Sequence, residues 1–256
     1  MKQSIKIGLA GSYKCDLIMY FSRILHSAGK KVAIIDASEE QFLSYCVPLV
    51  FDSDHMVTYR DIDVYYKARN EEDCVNFIRG DYDVILVDAG FNAKMYNYLA
   101  GCDYCIFVTD PEIHNVQRLS EFIGKYPGLK LLKPKAKAGD KPEVKSGEEA
   151  GTAAAIEAAK GSQIRVFRDM CPGKIDYKYL CSILDKPAAA QYIGEYVFQL
   201  DENDRRLGLY CQYDHIFKFT NLSKDYKLMF ADMLETFFGM NKKQVKKSIS
   251  RAERGR

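Results

Sequence analysis

The sequence has few of the residues from which metal and redox sites are built. Histidine occurs four times in 256 residues, at separated positions that give no ligand spacing. Eight cysteines are scattered along the chain, and Cys102-Asp-Tyr-Cys105 is the only C-x-x-C pair. That pair could be half of a zinc site or a redox pair, but no second close pair follows. Cys105 also begins an apolar run, so buried free thiols are the favoured interpretation.

Long hydrophobic runs are also absent. No stretch approaches the eighteen or so apolar residues that a membrane span needs. The segment Met1–Lys6 lacks the apolar core and cleavage site of a signal peptide. We therefore expect a cytoplasmic protein, with peripheral contact at the inner membrane face as the alternative.

Positive charge is concentrated at the C-terminus. The whole chain carries a net +2, but residues 241–256 contain seven basic residues and one acid, leaving a net −4 on the remainder. A mildly acidic body does not suit a nucleic-acid-binding domain. The basic tail is interpreted either as a solvated, disordered end or as an electrostatic tether to an anionic membrane.

Short apolar runs alternate with helix-length amphipathic segments. This alternation predicts an α/β fold with three layers, in which a doubly wound, mostly parallel sheet is covered by helices on both faces. Residues 1–133 and 163–240 are assigned to one domain. Residues 134–162, which are rich in Lys, Ala, Gly and Glu, are predicted to be a flexible insertion, because they have too few apolar groups to offset the entropy of ordering. The tail covers 241–256.

The connection between the first strand and the first helix is the most informative segment. Gly8-Leu-Ala-Gly-Ser-Tyr-Lys-Cys15 occupies the position of a P-loop, in which backbone N–H groups and a helix N-terminus surround phosphate. Gly8 and Lys14 are in register with G-x-x-x-x-G-K-[ST], but Tyr13 replaces the second glycine and Cys15 the magnesium-binding hydroxyl. The candidate phosphate-binding residues are Gly8, Gly11, Ser12, Lys14, Cys15 and Asp16.

Two aspartates end buried strands. Asp36 follows Lys31-Val-Ala-Ile-Ile, and Asp88 follows Tyr82-Asp-Val-Ile-Leu-Val. Because ligands bind at the carboxyl ends of parallel strands, both carboxylates should face the same crevice. One could hold magnesium and the other could position water.

With these segments in this order, the chain resembles the MinD/ParA family of P-loop ATPases with a deviant Walker motif, especially its TadZ/CpaE-like pilus-assembly localisation branch. The resemblance implies ATP and magnesium as cofactors, Lys14 as the phosphate lysine, Asp36 as the water-positioning residue and Asp88 as the magnesium aspartate. The additional family lysine would fall at about Leu9 and is absent.

Two functions follow from the resemblance. One is a non-catalytic scaffold or positioning factor, a pseudo-ATPase that binds protein partners or a second copy of itself. The other is a slow ATPase with nucleotide-switched dimerisation in localisation or pilus assembly. The altered positions Leu9, Tyr13 and Cys15 favour the first, whereas the intact Asp36 and Asp88 favour the second.

Overall fold

A computed structural model describes residues 4–48, 55–78, 80–126, 161–186, 192–215 and 219–254. Its centre is a single eight-stranded sheet. The strands are β1 (Ile5–Gly11), β2 (Val32–Asp36), β3 (Met56–Tyr59), β4 (Ile62–Tyr65), β5 (Val84–Gly90), β6 (Tyr104–Thr109), β7 (Ser162–Met170) and β8 (Tyr192–Gln199). They lie in the order β3-β4-β2-β5-β1-β6-β7-β8, and every pair is parallel except the β3–β4 hairpin.

Helices cover both faces of the sheet. The described α-helices are α1 (Cys15–Ser27), α2 (Glu71–Phe77), α3 (Tyr96–Ala100), α4 (Ile113–Lys125), α5 (Tyr177–Leu184), α6 (Glu202–Tyr213), α7 (Lys224–Phe238) and α8 (Lys242–Glu253). Side chains of α1, α7 and α8 share one apolar core with Ile7 and Leu9 of β1. Side chains of α3, α4 and α5 share a second core with Ala10. The predicted three-layer, doubly wound class is therefore confirmed.

The order of strands and helices follows the sequence pattern closely. The apolar run Tyr192–Gln199 forms β8, and the segment Tyr177–Leu184 forms α5. The helix α4 begins at Ile113, with Glu112 at its N-cap position and Pro111 directly before it. The flexible insertion predicted for 134–162 lies outside the described residues, except for Gly161 and Ser162, and Ser162 already pairs with Tyr104 in the sheet.

The interpretation of the C-terminal segment as a disordered end is wrong. Residues 242–253 form α8, which begins with a capping box in which Asn241 and Gln244 exchange side-chain and backbone hydrogen bonds. Val245, Ser248 and Ala252 are buried, and α8 packs against α1 and α7. These three buried residues form a narrow stripe that is hard to recognise in the sequence, because the surrounding residues are mostly lysines and other polar residues.

Candidate functional site

The segment expected to form the phosphate loop is mostly β-strand. Residues 8–10 of β1 pair with both β5 and β6, and Gly11 pairs with Val108 of β6. Only Ser12, Tyr13 and Lys14 separate the strand from α1, which begins at Cys15. The backbone from Gly8 to Gly11 is therefore committed to the sheet, and a wide phosphate-binding loop is not formed there.

The two glycines of this segment serve packing. Gly11 has φ +120, and a Cβ at this position would overlap the carbonyl oxygen of Val108. The next residue, Ser12, donates its backbone N–H to the same carbonyl at 3.0 Å. Gly8 lies against Leu99, whose side chain a Cβ would also overlap. Gly11 requires glycine because the backbone of β6 approaches it closely, whereas a side chain at position 8 would have to displace the end of the Leu99 side chain.

Lys14 is directed back onto its own loop. Its Nζ lies 2.7 Å from Asp88 Oδ1 and donates to the carbonyl oxygens of Gly11 and Ser12 at 3.1 and 3.3 Å. Only 2% of Lys14 is exposed. An ammonium group has three protons, so these three acceptors account for its donor capacity.

Asp36 and Asp88 lie side by side, as expected for residues at the ends of neighbouring parallel strands. Asp36 accepts hydrogen bonds from the Ser38 hydroxyl at 2.6 Å and from the Leu43 backbone N–H at 3.0 Å. Burial, together with the charge of Asp88, raises the pKa of Asp36 to about 7. The immediate role of Asp36 is to hold the turn after β2.

The next two candidates, Cys15 and Asp16, contact protein groups. The Cys15 thiol is buried, and burial, together with the neighbouring Cys46 thiol, raises the pKa of Cys15 well above its ordinary value. The two carboxylate oxygens of Asp16 each accept a hydrogen bond from the Arg168 guanidinium, at 2.8 Å. Burial lowers the pKa of Arg168, but the charges of Asp16, Tyr226 and Asp169, together with the hydrogen bonds to Asp16, outweigh burial and raise that pKa well above its ordinary value.

The ring of Tyr13 is fixed at the opening of the site. Its hydroxyl accepts a hydrogen bond from Gln212 Nε2 at 2.8 Å, and its ring meets Phe42 edge-on with centroids 6.0 Å apart. Arg168 Cζ lies 5.5 Å from the Tyr13 centroid, and its Nη1 donates to the Tyr13 carbonyl oxygen. Tyr13 therefore joins β7, α6 and the turn after β2.

Two neighbouring cavities share the lining residues Tyr13, Phe42 and Asp110. The larger, of about 550 Å³, lies against β7 and α6. The smaller, of about 340 Å³, is at the end of β1, beside the segment predicted to bind phosphate. The charged side chains that line the smaller cavity, histidine aside, are Lys14, Glu40, Asp88, Asp110 and Arg118.

The charge of the smaller cavity does not favour an anion. Its three carboxylates outnumber its two cations, and both cations are paired, Lys14 with Asp88 and Arg118 with Glu40 at 3.1 Å. Within the described residues no group of three or more His, Cys, Asp or Glu side chains could hold a metal ion. As arranged, neither of these cations is free to meet a phosphate group, and the Cys15 thiol occupies the position expected for a magnesium-binding hydroxyl.

Sequence reasoning missed Arg168, Gln212 and Phe42. Arg168 lies in the apolar strand β7 and is 3% exposed, and an arginine within such a run implies a buried acidic partner. That signal could have identified the residue but not its partner, since Asp16 is 152 positions away. Phe42 and Gln212 lie in a turn and a helix with no distinctive local pattern.

Similarity to known proteins is found in the three-dimensional structure and not in the sequence. No family profile and no curated protein matches the sequence. A plasmid partition protein of Borrelia burgdorferi B31 bound to AMPPNP superimposes with a TM-score of 0.53 at 16% identity, covering 93% of this chain and 99% of that one. MinD in the MinC:MinD cell division complex of Aquifex aeolicus gives 0.51 at 14%, covering 98% and 95%. A ParA family ATPase of Chlorobium tepidum TLS gives 0.50 at 11%, covering 91% and 98%.

At these low sequence identities, structural similarity shows the fold only. The narrower resemblance to pilus-assembly localisation proteins stays a prediction. The three structures superimpose on this chain with TM-scores of 0.50 to 0.53 and cover 91% or more of it. The chain has the P-loop fold of the ParA and MinD ATPases.

Proposed function

We propose that this protein is a non-catalytic scaffold or positioning factor with the ParA/MinD fold, in which the ATP site has been converted into a structural contact. The observation that carries the proposal is the position of Lys14, which is buried and held by Asp88 and by two carbonyl oxygens of its own loop. A phosphate group could engage Lys14 only by breaking a buried ion pair.

Magnesium chemistry is disfavoured for separate reasons. The hydroxyl that would bind the ion is replaced by the thiol of Cys15, and Mg²⁺ prefers hard oxygen ligands. The neighbouring carboxylate, Asp16, is engaged by Arg168 with both oxygens. The alternative, a slow ATPase with nucleotide-switched dimerisation, is favoured by the adjacent positions of Asp36 and Asp88.

Titration of the purified protein with ATP and magnesium tests the proposal. We expect no ATP binding that requires both magnesium and Lys14, and no phosphate release above that of buffer. Phosphate release that disappears in Asp36→Asn and in Asp88→Ala would establish the slow ATPase instead. Binding that requires magnesium and Lys14, without release, would indicate a scaffold that retains nucleotide and would contradict the loss of the site.

A scaffold needs a surface for partners, and the opening of the larger cavity offers one. Phe42, Leu200 and Leu209 line it from three different elements and are 43, 54 and 41% exposed. Exposed apolar groups clustered at one opening are typical of a protein interface. We infer that a second copy or another protein docks there. Light scattering across a concentration series, with Leu200→Ser/Leu209→Ser as the variant, tests self-association.

The basic face of α8 is the second candidate contact. Its apolar side is buried against the body, whereas Lys242, Lys243, Lys246 and Lys247 are exposed. No described helix is both long and apolar enough to cross a bilayer. We infer that any membrane contact of this helix is electrostatic and peripheral, made by the lysines at the surface of an anionic bilayer.

A further inference from the structure

A third cavity on the same edge of the sheet has the opposite charge. It has a volume of about 520 Å³ and lies beyond the ends of β2, β4 and β5. Its lining residues are Ser38, Glu39, Gln41, Lys67, Ala68, Arg69, Asn92 and Lys94. Three cations and one carboxylate give this lining a net +2, whereas the cavity beside Lys14 is lined by more carboxylates than cations.

A buried amide links the three loops that carry these cations. Asn92 is 6% exposed, and its Nδ2 donates to the carbonyl oxygens of Ala37 and Arg69 at 3.0 and 3.1 Å. Its Oδ1 accepts the backbone N–H of Lys94 at 3.0 Å. Asn92 therefore fixes the loops after β2, β4 and β5 relative to one another, and with them the positions of two cationic residues.

Gln41 makes a second link. Its Oε1 accepts the backbone N–H of Lys67 at 2.5 Å, and its Nε2 donates to the carbonyl oxygen of Ser38 at 2.6 Å. Gln41 and Lys67 have φ of 53 and 63, in the left-handed region that costs a non-glycine residue about 1 kcal/mol or more. Such strain is typical of binding sites, where surrounding contacts hold the backbone in place.

The cationic groups are available to a ligand. Lys67, Arg69 and Lys94 are exposed, and no carboxylate of the described residues lies within ion-pair distance of their side chains. The single lining carboxylate, Glu39, approaches Arg118 at 3.9 Å. The excess positive charge of the cavity is therefore not neutralised within the described chain.

We propose that this cavity binds a small, multiply charged anion that carries phosphate groups. A guanidinium beside two ammonium groups matches phosphate chemistry, because arginine donates in a bidentate manner and lysine acts as a point charge. The concave shape and the volume, within the range of small-molecule sites, favour a small ligand over a flat macromolecular surface. The cavity shares Ser38 with the one beside Lys14, but its cations lie on other loops, and the site does not depend on the function proposed for the Lys14 segment.

Calorimetry on the full-length protein with inorganic phosphate, pyrophosphate, tripolyphosphate and magnesium-free ATP tests the proposal. We expect affinity to rise with the number of phosphates and to fall as salt is added, because the contacts are charge–charge interactions. Arg69→Gln and Lys94→Gln should each weaken tripolyphosphate binding about tenfold. Lys178→Gln, which removes the same charge from the exposed side of α5, should leave it unchanged.

The positioning role of Asn92 has its own test. Asn92→Ala retains all three cations but releases the loops, so tripolyphosphate binding should weaken in the same direction as in Arg69→Gln. If that variant does not fold, Gln41→Ala, which removes a half-buried amide, serves instead. Binding that survives in Asn92→Ala and Gln41→Ala would overturn the claim that these links build the site.

Two results would overturn the binding site itself. One is the absence of any tripolyphosphate binding at low salt. The other is binding that is lost in the Lys14→Met/Asp88→Asn double variant but unchanged in Arg69→Gln and Lys94→Gln, since the anion would then bind at the β1–α1 connection. Magnesium-dependent ATP binding that needs Lys14 would contradict only the proposed function, provided that tripolyphosphate still depends on Arg69 and Lys94.

Discussion

At the scale of single residues, Lys14 and Asp88 form a pair in which each side chain is 3% exposed. Removal of one partner of a buried pair leaves an uncompensated charge, which costs about 3–5 kcal/mol. We expect Lys14→Met to lower the free energy of unfolding by about that amount. Adding Asp88→Asn should recover most of the loss, because asparagine retains an oxygen for the backbone N–H of Gly90. Urea denaturation of both single variants and the double variant measures the coupling.

Additive losses in that cycle would contradict a structural role for the pair. Lys14 would then be energetically independent of Asp88 and free to serve a ligand. Lys30→Met, a change of the same size at a lysine outside the buried core, is the control and should alter stability by less than about 0.5 kcal/mol.

Asp36 should make stability depend on pH. Its pKa in the folded protein is raised from the ordinary 3.8 to about 7, so the native state holds a proton that the unfolded chain has released between these values. This contribution to stability is complete below pH 4 and is lost as pH rises towards 7, by at most about 1.4 kcal/mol per pH unit. Urea denaturation at pH 5, 6 and 7 should show this downward trend.

The matched variant for that measurement is Asp36→Asn. It cannot titrate, so its stability should decline less steeply between pH 5 and 7, whatever its absolute value. A variant that declines as steeply as the wild-type protein would place the titrating group elsewhere.

The sequence located the acidic residues of this site but not their partners. Asp36 and Asp88 could be placed next to each other because parallel strands end at the same edge of a sheet. The contact between Lys14 and Asp88, and the one between Asp16 and Arg168, depend on side-chain packing across 74 and 152 positions. No local pattern encodes such pairs, and the cationic cavity around Asn92 was missed for the same reason.

At the scale of secondary-structure elements, the contact between β1 and β6 depends on a glycine. Gly11→Ala introduces a methyl group into the Val108 carbonyl at φ +120, and we expect a loss of about 3 kcal/mol or more. Gly29, at the end of α1, has φ +82 and no atom near its missing Cβ. Gly29→Ala should therefore cost only about 1 kcal/mol. Thermal denaturation of both variants separates two costs. Gly11→Ala reports steric overlap together with backbone strain, and Gly29→Ala reports backbone strain alone.

If the two glycine variants lose equal stability, the close approach of β1 to β6 is not what Gly11 provides. A loss in Gly11→Ala that is accompanied by a changed urea m-value would instead indicate that the sheet opens at this point.

The capping box of α8 makes the C-terminal segment testable as a folded element. Asn241→Ala removes the side-chain acceptor of the Gln244 N–H and should lower the free energy of unfolding by about 1 kcal/mol. Lys247→Ala, on the exposed face, should have almost no effect. Equal stability of the wild-type protein and Asn241→Ala would mean that α8 does not contribute to the folded state.

A helix whose apolar residues are regularly spaced can be recognised in the sequence, whereas a helix with few buried apolar residues cannot. In α7 the buried residues recur every three or four positions, so this helix is recognisable in the sequence. The helix α6 was missed, because only Asp204, Gly208 and Cys211 of its residues are buried and none is a large aliphatic group. Its role in holding Tyr13 through Gln212 could not be inferred before α6 itself was known.

At the scale of the whole molecule, charge is divided between an acidic body and the basic face of α8. We expect the protein to bind vesicles that contain 30% phosphatidylserine at low salt and to be released at 0.5 M salt. Lys246→Gln/Lys247→Gln should weaken binding about thirtyfold, from about 1 kcal/mol for each lysine. Co-sedimentation with the vesicles measures this binding. The control is Lys174→Gln/Lys178→Gln, which removes the same charge elsewhere on the protein.

Equal weakening in the two double variants would mean that net charge governs vesicle binding and that α8 has no special part in it. Binding that persists at 0.5 M salt would contradict a purely electrostatic contact.

The extension of β1 through Gly11 also limits how this protein could change. The path of residues 8–11 is set by ladders to β5 and β6, and so is independent of the side chains at 13 and 15. Placing the glycine and hydroxyl of the P-loop motif by Tyr13→Gly/Cys15→Thr would therefore change two side chains without altering the pairing of residues 8–11. A wider loop at this position would require the sheet to release the end of β1, which substitutions at positions 13 and 15 cannot bring about.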